Sequence, residues 1–192
     1  MTEPTLDVIC IGRSSVDLYG GQVGGRLEDM SSFAKYVGGS PTNISIGCSR
    51  LGLNSALVTR VGDEHMGRFI REQLVREGVD TSYVKTDPDR LTALVILGIR
   101  DGERFPLVFY REDCADMAIE AADMDADFIA SARAVVVTGT HFSTDRVAGA
   151  SFTAMKMASQ SDRLVAFDID YRPSLWALGG HDDGESLSLI HI

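Results

Sequence analysis

Residues 38–62 read GGSPTNISIGCSRLGLNSALVTRVG, a glycine pair, a helical segment, a strand and a final glycine in one continuous run. Gly38 and Gly39 carry no Cβ, so the chain turns sharply there and a ligand can approach bare backbone. Ser40 suits an N-cap and Pro41 suits N1, where its missing N–H costs nothing. Ile44, Cys48 and Leu51 follow at helical spacing, and Gly52 is placed to end the helix. SALVTRV then reads as a buried strand before Gly62. A helix that starts at such a turn points unpaired N–H groups and the positive end of its dipole outward, which favours hydroxyls and anions. Asn43, in its first turn, adds an amide that both donates and accepts.

Outward from this run the chain alternates strands and helices. LDVICIG (residues 6–12) is a short apolar run ending in glycine, the pattern of a central parallel strand covered on both faces. Asp17 follows five residues after Gly12. It reads either as a solvated loop carboxylate or as a ligand acceptor beyond the carboxyl end of a strand, where open α/β sheets bind. SSFAKYV is a short strand leading into the glycine pair. Met66, Phe69, Ile70 and Leu74 form a helical stripe stopped by Gly78. TALVILGIR and FPLVFYR flank the turn sequence DGER, which predicts a hairpin projecting as a lid, with Tyr110 and Arg111 at its end. Residues 123–132 suit a short acidic helix, and ARAVVVTGTHF is a strand with His141 near its carboxyl end, in contact with ligand or held by a structural hydrogen bond. A helix through Ser151 and Ala158 and the strand RLVAFDID follow. The expected fold is a doubly wound α/β sheet, mostly parallel, with helices on both faces.

DIDYRPSLW (residues 168–176) sets Asp168, Asp170 and Arg172 just past a strand end. Two carboxylates there either hold Mg²⁺ through water or balance the arginine. An arginine fork, at Arg111 as at Arg172, pairs with a carboxylate or phosphate through two hydrogen bonds and has no such partner in a neutral sugar.

The 192 residues, 44% hydrophobic and 24% charged, suit a globular protein with one core. No apolar run reaches the ~18–20 residues that span a bilayer, and the N-terminus lacks a signal-peptide pattern, so a cytoplasmic protein off the membrane is expected. Cys10, Cys48 and Cys114 are odd in number and widely spaced, which points to free thiols rather than disulfides or a metal site. A net charge of −10 argues against nonspecific nucleic-acid binding. GGQVGG lacks the spacing of a dinucleotide fingerprint, and no GxxxxGK[ST] occurs, which disfavours a nicotinamide-binding domain.

Gly38, Gly39, Asn43, Ser45, Gly52 and Gly62 together resemble the N-terminal signature of the PfkB-type, or ribokinase-like, carbohydrate kinases, and VDLYG, VGDEHMG, FYRE, TGTHFS and DIDYR extend the resemblance from about Leu6 to Glu185. It implies a ribokinase-like sheet with a small β lid from strands in about 17–38 and 91–111. It also implies sugar hydroxyls held by Gly38, Gly39, Asn43 and Asp17, with Ser15 standing where an asparagine is usual. Kinases of the family that act on keto-deoxy sugar acids carry a Tyr-Arg pair at the lid and a D-x-N-x-R segment. Tyr110, Arg111 and Arg172 are therefore expected to bind a carboxylated sugar, and Asp170 to lie at the cofactor side. ATP and Mg²⁺ are the implied cofactors, and pairing of lid strands in a homodimer is a further implication.

In this family the second half supplies the adenosine pocket, the metal-linked acidic motif and the aspartate that deprotonates the acceptor hydroxyl. None of those motifs occurs here, and LSLIHI at the end does not resemble the family. The expectation is one kinase domain over residues 1–185, its C-terminal half and catalytic base missing, with 186–192 a foreign tail. Such a fragment would bind a sugar acid with negligible turnover. The other class that fits is a noncatalytic sugar-binding module.

Overall fold

The computed structural model describes residues 4–100 and 105–170. In chain order the elements are β1 (Leu6–Ile11), β2 (Ser15–Gly20), β3 (Phe33–Gly38), α1 (Ser40–Arg50), β4 (Ser55–Gly62), α2 (His65–Arg76) and β5 (Val84–Asp87). They continue with β6 (Ala93–Leu97), β7 (Leu107–Tyr110), α3 (Ala126–Ala130), β8 (Ala132–Thr138), α4 (Asp145–Gln160) and β9 (Leu164–Asp168).

Five strands make a fully parallel sheet in the order β5-β4-β1-β8-β9. LDVICI lies at its centre as expected, because a strand apolar at nearly every position can be covered on both faces. Ile9 and Ile11 face one way, onto Ile129 of α3 and Ala150, Ala154 and Ala158 of α4. Val8 and Cys10 face the other, onto Ile70 and Leu74 of α2, with Ile44 and Cys48 of α1 beside them. The doubly wound reading is thus realised. Its alanine stripe lets α4 sit close to the sheet, while the larger side chains of α2 fill the opposite layer. Cys10, Cys48 and Cys114 are free thiols, Cys48 only half-buried.

The helix start differs from expectation by one residue. Gly39, not Ser40, is the N-cap, with φ +97°, and Pro41 falls in the second helical position. A Cβ on Gly39 would overlap the Arg13 carbonyl, so only glycine lets the chain turn against the end of β1. At the other end Leu51 is 84% exposed, not a member of the apolar stripe. The helix has already ended at Arg50, and Leu51 caps it before Gly52 turns with φ +88°.

A second, four-stranded sheet runs in the order β3-β2-β6-β7, with β2 antiparallel to β3, parallel to β6, and β6 antiparallel to β7. The expected hairpin is therefore present, its turn at 101–104 lying outside the described residues. Alternation along β2 fixes which way its side chains point. Val16 and Leu18 pack into the core layer that holds α2, joined by Val37 of β3 and Leu94 of β6, and Lys35 Nζ stands 3.9 Å over the Phe69 ring of α2. Asp17 is turned to the opposite face. Sheet two leaves sheet one at fixed points: Thr92 Oγ1 accepts from the Gly62 N–H at 3.0 Å, and Glu64, the N-cap of α2, accepts from the Met66 and Gly67 N–H groups.

Candidate functional site

Asp17 lies within β2 rather than in a loop, so its carboxylate is aimed by strand register. It pairs with Tyr36 on β3 and Val95 on β6, and Val95 pairs with Phe109 on β7, so these four share one face. Ser15, two residues back on that face, donates to Asp17 Oδ1 at 2.9 Å. The carboxylate rests over Gly38, where a Cβ would overlap it.

Tyr110 and Arg111 separate here. Tyr110 pairs with Leu94, on the face opposite Asp17, and is 57% exposed. Arg111 shares its side with Phe109, whose ring lies 5.8 Å from the guanidinium carbon. Period-two alternation thus puts Phe109 and Arg111, not Tyr110, with Asp17.

Arg111 does not reach out as a surface arginine. Its Nη2 donates to Asp116 Oδ2 at 3.0 Å, and the same oxygen accepts from Arg13 Nε at 2.7 Å and approaches the Ser14 N–H at 3.4 Å. Asp116 sits on the short 3₁₀ turn Ala115–Ala118 and is wholly buried; Arg13 is 2% exposed. Burial by itself raises the Asp116 carboxyl, but Arg13 and Arg111 outweigh it and hold the group below the ordinary carboxylate range. Burial, helped by the like charge of Arg13, brings Arg111 down to about 10 against the pull of Asp116 and Asp17. Neither Arg13 nor Asp116 was singled out from sequence. The only signal was a charged residue placed directly after the central strand's glycine.

Gly12 joins this ensemble to the parallel sheet. Its carbonyl accepts from Thr59 Oγ1 at 2.7 Å, and the next carbonyl, of Arg13, accepts from Thr42 Oγ1 at 3.0 Å in the first turn of α1. The N-terminus of α1 is so fixed against the end of β1, with Asn43 exposed on it. His141 is fully buried beside Gly12, its Nδ1 bonded to Ser151 Oγ at 2.7 Å. Burial first, then Arg13, pushes its imidazole down to about 3, so it is neutral and structural, the plainer of the two roles expected of it.

Asp170 lies at the end of β9, 3% exposed, where the chain crosses Gly139 so closely that a Cβ would overlap the Ile169 carbonyl. Asp168 Oδ1 accepts from the Asp170 N–H at 3.2 Å. Among the described residues no group of three or more His, Cys, Asp or Glu side chains could hold a metal ion. Asp168 and Asp170 do not make a complete magnesium site on their own. Arg172 lies outside the described residues.

The arrangement gathers a helix N-terminus and bare glycine backbone, a carboxylate able to accept hydrogen bonds, and a guanidinium able to pair with an anionic group. A family profile described as pfkB family carbohydrate kinase matches residues 5–187, and the chain belongs to that family. It is 38% identical over 172 residues to the 5-dehydro-2-deoxygluconokinase of Geobacillus kaustophilus, covering 89% of this chain and 51% of that protein. The chain spans about half the length of the curated relatives it matches. Among solved structures it resembles the PfkB protein from Polaromonas sp. JS666, with a TM-score of 0.85 and 31% identity over 90% of this chain and 58% of that one. It also resembles the sugar kinase PH1459 from Pyrococcus horikoshii in complex with ATP, at TM-score 0.81 and 28% identity, covering 88% and 55% of the two chains.

Proposed function

We propose that this chain carries the acceptor site of an ATP-dependent kinase for a small sugar acid, with 5-dehydro-2-deoxygluconate, an intermediate of inositol breakdown, as the substrate. The observation that carries this reading is Arg111, brought to the Asp17 face by a buried carboxylate instead of being left to solvent. A neutral sugar makes no use of a cation held this way, whereas a carboxylate pairs with it. Asp17 accepts hydrogen bonds from the sugar hydroxyls, the α1 N-terminus with Asn43 orients them, and Arg111 takes the carboxylate. Arg172 is proposed as a second cation for the acid and Asp170 as a contact on the nucleotide side.

ATP would supply the phosphoryl group, and the described residues offer neither it nor Mg²⁺ a complete site. The proposal for the 192 residues alone is binding of the acid with negligible turnover. Calorimetry with 5-dehydro-2-deoxygluconate, 2-dehydro-3-deoxygluconate and fructose tests the reading. The acids bind at least tenfold more tightly than fructose, and Arg111→Met removes that margin. Equal affinity for fructose and the acids would overturn it.

A further inference from the structure

The Asp116 carboxylate is used unevenly. Oδ2 accepts from both Arg13 Nε and Arg111 Nη2, while Oδ1 has no hydrogen-bond partner among the described residues, and neither has Arg111 Nε. An arginine beside a carboxylate ordinarily closes a two-point fork, Nε and Nη2 to the two oxygens. Here the fork is open, and Arg13 shares the one oxygen that Arg111 uses. It occupies the shared oxygen through the shorter contact, 2.7 Å against 3.0 Å, and its like charge stands against Arg111 in a region closed to water.

We propose that Arg13 is a positioning residue for sugar-acid recognition: by sharing Asp116 Oδ2 it keeps Arg111 from closing its fork on Asp116 and leaves Arg111 Nε uncommitted. This rests on the reading of Arg111 as the carboxylate-binding group. Arg13 itself contacts no part of the sugar acid. Its main chain is fixed by Gly39 and Thr42, so the guanidinium that restrains Asp116 starts from a rigid point at the end of β1. With Arg13 removed, Asp116 retains Arg111 as partner and closes the fork, committing Arg111 Nε to Oδ1.

The test measures dissociation constants of the 192-residue chain for 5-dehydro-2-deoxygluconate and for fructose, in the wild type, Arg13→Met and Arg13→Lys, with folding checked by melting. Arg13→Met weakens the acid at least tenfold and fructose less than twofold. Arg13→Lys, which returns a cation to Asp116, recovers a substantial part of the acid affinity. Equal weakening of both ligands, or retention of the acid preference in Arg13→Met, overturns the proposal. Should Arg13→Met not fold, the neutral Arg13→Gln takes its place: a loss confined to the acid supports the proposal, and an equal loss or none overturns it. A wild type that does not prefer the acid overturns the sugar-acid reading and this inference with it. A wild type that prefers the acid, with variants that do so equally, overturns only the role of Arg13.

Discussion

The Asp17 carboxylate lies over the Cα of Gly38, diagonally across the β2–β3 ladder, in the space a Cβ on residue 38 would fill. The glycine is thereby tied to the position of an acid on the neighbouring strand.

Gly38→Ala therefore moves Asp17 before it disturbs the fold. The expected result is a tenfold or greater loss of sugar-acid affinity by calorimetry, with a stability cost near the lower end of the ~1–3 kcal/mol typical of overpacking, since a carboxylate can swing aside. Unchanged affinity would remove Asp17 from the site.

Gly39→Ala acts differently. Its overlap is with the Arg13 main chain, and φ +97° is unfavourable for any side chain, so the change destabilises the fold itself. Backbone strain of this kind costs roughly 1–3 kcal/mol, and the steric clash adds to it. Denaturant midpoints of the two alanine variants should fall in the order Gly38→Ala above Gly39→Ala.

Asp116→Ala leaves two buried guanidinium groups without their carboxylate. Removal of one partner from a buried ion pair costs about 3–5 kcal/mol, and more than one cation is stranded here. The native contribution depends on pH with a definite sign. Because the folded carboxyl sits below its ordinary value of 3.8, its stabilisation is complete above that value and is lost as pH falls through the folded one. Urea titrations of wild type and variant should converge only in strong acid.

His141 gives a second pH window. Its imidazole is held down at about 3, against an ordinary 6.5, so the unfolded chain takes up a proton that the folded chain refuses. Stability is insensitive to this group above about pH 7. It declines as pH falls from 6.5 toward 3, with a slope approaching about 1.4 kcal/mol per pH unit. His141→Asn, whatever its overall cost, should flatten that part of the curve. An unchanged slope would place the pH dependence elsewhere.

Much of this was legible in the sequence where one local pattern decided the outcome. LDVICI is apolar at nearly every position and is the central strand; Met66, Phe69, Ile70 and Leu74 lie on one face of α2. The glycine pair does mark the entrance to α1. What failed to show was set by pairing across distance. Tyr110 and Phe109 are neighbours whose roles exchange with the register of β7 against β6, which no composition reveals. Arg13 and Asp116 meet from 103 residues apart in sequence, and nothing near either residue announces the other. The N-cap moved from Ser40 to Gly39 because the Arg13 carbonyl, far away in sequence, occupies the space beside it.

The order of the parallel sheet also has a temporal side. β1 is made first, yet its two neighbours are β4 and β8, whose partners for it arrive about 50 and about 125 residues later, so both flanks depend on closing long loops. Such non-local pairing slows folding, and during synthesis the apolar run Val8 to Ile11 waits uncovered on the side that β8 will take. A chaperone that shields Val8 to Ile11 until Val137 has emerged would meet this protein at its most vulnerable moment.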